Sequence, residues 1–452
     1  MKLYADRVLL SKGWKRKQTL TIVDGIITNI TTGQEPDAES VGTVIPGMVN
    51  CHSHAFQRAF AGFSEQGSEG KDSFWTWRNV MYQFLAQLTA DDAQIIATEL
   101  YIEMLKAGYT RVAEFHYLHH NIDGSTYNNL ATMAEAIFKA SKQSGIGLTL
   151  LPVLYQYSGF GQLAPNNGQK RFINSTEQFN TLVSDCYQLS QTYSNTNIGI
   201  APHSLRAVDE NSLNHAIEHV RALDSKAPIH IHIAEQQKEV DDCIQHYQQR
   251  PVQWLLNHCD LDSHWCLIHA THIDEKERHG IIATQAIAGI CPTTEANLGD
   301  GIFPTTEFLA EGGTIAIGSD SHISINPIEE LRWLEYIQRL VKQQRTLLAT
   351  TEQASVGEFL WTHTAKIGAQ STNSNVGELA IGKQADLLVL DEDKLALFAA
   401  EDEYLLDSLL FATQNNVIAD VMVNGQWCVR NGQHPLEQEA AEAFKQLLQR
   451  IN

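Results

Sequence analysis

Positive charge is scarce in this sequence. Its 452 residues include 32 lysines and arginines against 53 aspartates and glutamates, a formal net charge of −21. That balance disfavours nucleic acid and offers no basic stripe to an anionic membrane. An anionic substrate would need arginines placed locally against the overall field. Long apolar runs are also missing, and no window approaches the roughly eighteen uninterrupted apolar residues of a membrane span. The opening MKLYADRVLL lacks an apolar leader core, so no signal peptide is expected. Paired cysteine motifs are absent too. The seven cysteines (51, 186, 243, 259, 266, 291 and 428) are odd in number and scattered, with no C-x-x-C. They read as reduced thiols of a cytoplasmic protein.

What is present is core material: 43% of the residues are apolar and 19% charged, enough for a large interior and unlike a disordered chain. Residues 2–43 hold short alternating runs such as TLTIVDGIITNI, and the C-terminal end repeats the style in QADLLVLD (384–391) and VIADVMVNGQWCVRNG (417–432). Between them, apolar β-branched runs that end in polar clusters alternate with helix-like segments such as DDAQIIATELYIEMLKAG (91–108). Eight such units predict a (β/α)8 TIM-like barrel. The expected organisation is a small β-sandwich domain formed by both termini, residues 1–43 and 376–452 (the latter with a terminal helix), around a barrel of residues 44–375.

In such a barrel the C-terminal strand ends share one mouth. Here they carry His52 and His54 (strand one), His232 (strand five), His269 (strand six) and Asp320 (strand eight). H-x-H on a strand puts both imidazoles on one face. His52, His54, His232 and Asp320 make an N3O set suited to Zn²⁺, with Fe²⁺, Mn²⁺ and Ni²⁺ as the other candidates. His230, two residues deeper than His232, reads as a hydrogen-bonded core histidine. His116, His119 and His120 read as partly outer-shell and partly surface residues. His203 draws notice because Arg206 follows it.

The strings PGMVNCHSH, GSDSH and GELAIGKQADLLVLD resemble the amidohydrolase superfamily, and the resemblance spans nearly the whole chain. The longer strings HSHAFQRAFAG, SFWTWR, YIEMLKAGYTRVAEFHYLHH, HIHIAEQ and WCLIHATH are similar to its formimidoylglutamate deiminase branch. That resemblance implies water-driven deimination of N-formimino-L-glutamate to N-formyl-L-glutamate and ammonia, in histidine degradation, by a homodimer. Glu235, His269 and Asp320 would then be catalytic. Gln57, Arg78, Tyr117, His203 and Arg206 match the family's substrate-binding positions. Strand four ends in IAPHSLRAV, without the lysine that bridges two metals in many members, which implies one divalent metal per chain. Asn50 stands where many relatives have Asp, a change expected to be minor. Residues 55–80, with Phe74-Trp75-x-Trp77, form a long loop that would either close over substrate or pack locally. The rival reading is a sibling deaminase acting on guanine or another heterocycle. A barrel retained only as a scaffold would lack ligands, and none is missing.

Overall fold

The fold, obtained as a computed structural model, describes residues 1–63, 65, 74–350, 353–394, 401–413 and 416–451, without the side chains of residues 74–76. Four strands open the chain: β1 (Lys2–Leu10), β2 (Gly13–Val23), β3 (Ile26–Thr32) and β4 (Glu39–Pro46). Nine more lie in the middle: β5 (Met48–Ser53), β6 (Tyr109–His116), β7 (Gly147–Leu154), β8 (Thr196–Ile198), β9 (Ala201–Pro202), β10 (Ile229–Ile233), β11 (Trp265–His269), β12 (Ile287–Ile290) and β13 (Thr314–Ile317). The last three are β14 (Leu387–Leu390), β15 (Ile418–Val423) and β16 (Gln426–Val429).

The middle strands form the barrel. β5 to β8 pair in order, as do β10 to β13, all in parallel. β8 and β9 are two pieces of the fourth strand, both paired with β7. Two parallel bridges close the ring, Ile200 to Ile229 and Ser53 to Asp320. The strands β5, β6, β7 and β10 to β12 are buried at every position, as a sheet covered on both faces requires. The segment predicted helical over 91–108 is a helix from Ala90 to Ala107. Thr89 and Asp92 make a capping box at its start, and Gly108 ends it at φ 108°.

The terminal strands make one seven-stranded sheet in the order β16-β15-β14-β4-β1-β2-β3. In hydrogen-bonding terms the expected sandwich is thus a single continuous ladder that joins both ends of the chain. Alternate residues serve two cores. Val44, Leu387 and Val389 face the sheet's own core, whereas Ile45, Leu388 and Leu390 face the barrel's core. We place the passage from sheet to barrel at Gly47, where a Cβ would stand 2.3 Å from Thr110 Cγ2. Trp361 Nε1 donates to the Pro46 carbonyl there (3.1 Å). The terminal helix Glu437–Ile451 lies against the helix Ala90–Ala107, joined by the Arg450–Asp92 and Lys106–Glu437 ion pairs. Among the described residues no helix is long and apolar enough to cross a membrane.

Gly199 sits where the fourth strand breaks, and a Cβ on it would lie 2.1 Å from the Pro228 carbonyl oxygen. Gly199→Ala should therefore cost about 1–3 kcal/mol of overpacking, seen as a lower midpoint in thermal unfolding. An unchanged midpoint would contradict the close approach of the fourth and fifth strands.

Candidate metal centre and active site

Strand pairing sets the first constellation. The Asp320 N–H donates to the His52 carbonyl (3.0 Å), and the His54 N–H donates to the Asp320 carbonyl (3.3 Å). This lays the end of strand eight along the H-x-H segment. Asp320 Oδ1 lies 3.4 Å from His52 Nε2 and 3.3 Å from His54 Nε2. His232 arrives from across the barrel with its Nε2 2.9 Å from His52 Nε2. The four ligand atoms lie within 4.8 Å of one another. A tetrahedral ion with bonds of about 2.0–2.1 Å has ligand–ligand edges of about 3.3–3.4 Å, so these residues fit a metal.

The tautomers agree with that use. His54 Nδ1–H donates to the Phe115 carbonyl (2.9 Å) and His232 Nδ1–H to the His203 carbonyl (3.2 Å). Each leaves Nε2 with its lone pair toward the cluster. Burial lowers the His52 pKa to about 3 and depresses those of His54 and His232, so these imidazoles are neutral donors. Burial opposes ionisation of Asp320, but the surrounding imidazoles hold its pKa below the usual carboxylate range.

Asn50 and Gly318 set His52. Asn50 Nδ2 donates to Ser319 Oγ (2.6 Å), while its Oδ1 accepts the N–H groups of Ser319 (3.1 Å) and His52 (3.3 Å). An amide both gives and takes here, which an aspartate would not do. Behind His52, a Cβ on Gly318 would meet His52 Cβ at 2.8 Å. Left-handed backbone gathers at the same mouth: Ala234 (φ 51°), His269 (70°), Ala270 (46°), Asp320 (46°) and His322 (60°). Each such residue costs about 1–2 kcal/mol, and clustering of this kind marks functional sites.

The second constellation surrounds His269. Its Nε2 lies 3.8 Å from Asp320 Oδ2 and 3.9 Å from Glu235 Oε1, and its Nδ1 lies 3.2 Å from Glu295 Oε1. Burial alone would lower its pKa. Glu235, the Glu295 hydrogen bond and Asp320 overcome that and raise it to about 10, so His269 is an imidazolium. Glu235 is 4% exposed, and burial lifts its carboxyl to about 7. Glu295 also accepts the Cys291 N–H (2.8 Å). The ligand-type group His269, Cys291 and Glu295 is therefore occupied with holding the His269 ring.

A cavity opens onto both constellations, lined by Gln57, Arg78, Tyr117, His203 and Arg206, as well as Glu235, His269 and Asp320. The structure thus brings every sequence-predicted site residue to one place. Gln57 Nε2 donates to Tyr117 Oη (3.2 Å). Arg206 Nη1 pairs with Glu239 Oε2 at 3.2 Å, both side chains buried. His230 is buried, its Nε2 2.8 Å from the Ser371 carbonyl, as read from the sequence. The surface part of the reading of His116, His119 and His120 needs correction, because all three are buried. His119 and His120 are hydrogen-bonded to the carbonyls of Val153 and Ile173, which no surface position would require. Trp77 and Arg78 lie on the helix Phe74–Leu85 and reach the cavity. The side chains of Phe74 and Trp75, and residues 64 and 66–73 of the loop expected to close, fall outside the described residues; the rest of that stretch includes the 3-10 turn Ala55–Phe60 and the start of the helix Phe74–Leu85.

Sequence reasoning missed Glu239, Glu295, Asp300 and the pair Tyr82 and Tyr155. Asp300 is 4% exposed, and burial followed by Glu235 raises its carboxyl to about 9. The available signal was faint: Glu295 and Asp300 follow strand seven in CPTTEANLGD, a polar cluster at a strand end like those that were read.

A model of the amidohydrolase family matches residues 43–428. The chain belongs to the amidohydrolase family. It is 47% identical over 449 residues to the formimidoylglutamate deiminase of Pseudomonas aeruginosa, covering 99% of this chain and 98% of that one. Identity to the 8-oxoguanine deaminase of the same organism is 28%, over 91% and 90% of the two chains. Among solved structures, an amidohydrolase from Brucella melitensis superposes with a TM-score of 0.94 at 44% identity, covering 100% of this chain and 99% of that one. The amidohydrolase barrel here thus carries a candidate metal site of three imidazoles and one carboxylate.

Gly318→Ala tests how His52 is seated. The added methyl should displace His52 and weaken divalent-metal retention by about 10- to 100-fold, the size seen when a ligand's support is disturbed. Metal content after dialysis against graded chelator reads this, with circular dichroism as the check on folding. Wild-type retention would mean that His52 is not held from behind.

Proposed function

We propose that this amidohydrolase hydrolyses N-formimino-L-glutamate to N-formyl-L-glutamate and ammonia. The observation that carries the reading is the pair of guanidinium groups, Arg78 and Arg206, lining the cavity directly above the metal-type cluster of an acidic chain. A dicarboxylate wants two separated cations, and guanidinium meets carboxylate through paired charge-assisted hydrogen bonds. The 47% identical relative supports it independently. The same reading takes Zn²⁺ as the ion, one per chain, held by His52, His54, His232 and Asp320. It also takes the protein as a cytoplasmic homodimer of histidine degradation, for which the support is the family resemblance.

A divalent ion at that site supplies activation of water at neutral pH and stabilises negative charge. Glu235 takes the proton of the attacking water as the C–O bond forms at the formimino carbon. It then delivers that proton to the terminal nitrogen. As the carbonyl forms, the proton of the added hydroxyl passes through Glu235 to the same nitrogen, and the C–N bond breaks to release ammonia. A carboxyl lifted to about 7 by burial is matched to both halves of this transfer at neutral pH. His269, an imidazolium aimed by Glu295, stabilises charge at the attacked carbon from beside Asp320. Gln57 and Tyr117 present an amide and a hydroxyl to the formimino group, and Arg78, His203 and Arg206 meet the carboxylates.

The heterocycle reading finds aromatic residues in the same cavity. Several of these rings meet edge to face: Tyr117 against Phe172 (centroids 4.8 Å) and His54 (5.1 Å), and Tyr155 against His203 (4.5 Å). The sibling deaminases are also the more distant relatives, the 8-oxoguanine deaminase being 28% identical against 47% for the deiminase.

Two measurements test the reading. Glu235→Gln keeps size but carries no proton, so kcat for ammonia release should fall by about two to four orders of magnitude at unchanged metal content. Full turnover would remove Glu235 from the mechanism. Truncating a buried carboxylate partner costs about 2–5 kcal/mol. Arg206→Met and Arg78→Met should therefore each lower kcat/KM for formiminoglutamate by roughly 30-fold to several thousand-fold, at 1.4 kcal/mol per decade. Formamidine, which has no carboxylate, should be a poor substrate nearly indifferent to both changes. Equal losses on both substrates, or preferred turnover of guanine, would overturn the dicarboxylate assignment.

A further inference from the structure

Glu239 stands in the first turn of the helix Gln237–Tyr247, at the place where a carboxylate ordinarily reaches back to cap its own helix. Here it reaches further. Its Oε2 accepts the backbone N–H of Glu235 at 3.3 Å, and the nearby Ala234 N–H also favours the charged carboxylate. Those two residues form the turn that leaves strand β10, and Ala234 is held there at φ 51°. The same Oε2 lies 3.2 Å from Arg206 Nη1. Glu239 is 1% exposed and Arg206 7%, so their pairing is a desolvated one, in which removing one charge leaves the other uncompensated. One carboxylate oxygen therefore touches both the turn that aims the proton-carrying Glu235 and the guanidinium that lines the substrate cavity.

We infer that Glu239 is a positioning residue that locks the substrate-binding Arg206 and the proton-carrying Glu235 into one fixed geometry. The inference rests on the proposed deiminase reading. A helix cap alone would need neither a buried arginine nor N–H groups lying before the cap residue, Gln236. Because Glu239 touches both, loss of its carboxylate is felt at both: the turn before the helix relaxes and the guanidinium is freed. Burial tends to protonate Glu239, while Arg206 and the two N–H groups oppose this.

The distinguishing signature is a split between kcat and KM. Glu239→Gln in the metal-loaded enzyme should lower kcat by about 10- to 100-fold, the size of a small misplacement of a reacting group. That loss should appear with formiminoglutamate and with carboxylate-free formamidine alike, since it acts through Glu235. KM should rise for formiminoglutamate only, since that part acts through Arg206. Calorimetry with glutarate, a plain dicarboxylate that does not react, gives a readout without turnover. Glu239→Gln and Arg206→Met should each weaken glutarate binding, and the double variant should bind no more weakly than Arg206→Met alone. If Glu239→Gln does not fold, the apolar pair Arg206→Met with Glu239→Leu replaces both charges, and it should still lose turnover of formamidine.

Multiplicative losses in glutarate binding would overturn the inference. So would a Glu239→Gln enzyme with wild-type kcat, or an apolar-pair enzyme with wild-type kcat on formamidine. A wild-type enzyme that releases no ammonia from formiminoglutamate is a different failure. It would overturn the substrate reading first, and this inference with it.

Discussion

Closure of the barrel between its first and eighth strands is the constraint on which the site depends. Two backbone hydrogen bonds, from Asp320 to His52 and from His54 to Asp320, hold those strand ends together. Without them the H-x-H segment and the aspartate would be two polar strand ends separated by more than two hundred and sixty residues. With them, three ligand atoms are fixed by backbone register. Asn50 and Ser319 reinforce the same seam through side chains. His232, entering from strand five, completes the set because the second closure, Ile200 to Ile229, carries the ring round to it.

Burying so many ionisable groups demands internal balance, because an unpaired buried charge is far costlier than a buried dipole. The cavity solves this by alternating signs. His269 is flanked by Glu235, Glu295 and Asp320, and Arg206 is flanked by Glu239. The left-handed residues at the strand ends are the other side of that solution. They turn the chain sharply enough for short polar side chains to meet over the core. A loose loop would position the same groups with more freedom and less accuracy.

Much of the fold was legible because periodicity is local. Apolar runs announced the barrel strands, and apolar residues at helical spacing with a terminal glycine announced the helix over 91–108. The metal set was legible because histidines and an aspartate at the ends of barrel strands one, five and eight share one mouth. The supporting residues were not. Glu295 and Glu239 each look like the ordinary carboxylate of a helix's first turn, and nothing nearby in the sequence distinguishes them. Their partners, His269 and Arg206, lie 26 and 33 positions away. His116, His119 and His120 misled for the same reason, since a histidine cluster after a strand looks polar until its neighbours are known.

By itself, the sequence determined which segments become strands and helices, which residue types stand at the barrel mouth, and that both ends of the chain are rich in strands. Those properties follow from apolar periodicity, turn residues and side-chain chemistry within short windows. Only the tertiary structure decided that β4 pairs with both β1 and β14, that Asp320 lies along His52 and His54, and that Arg206 is bound to Glu239. Each is a contact between segments that do not influence one another along the chain. Ring closure and burial select it, because only in the closed barrel do those groups leave water together.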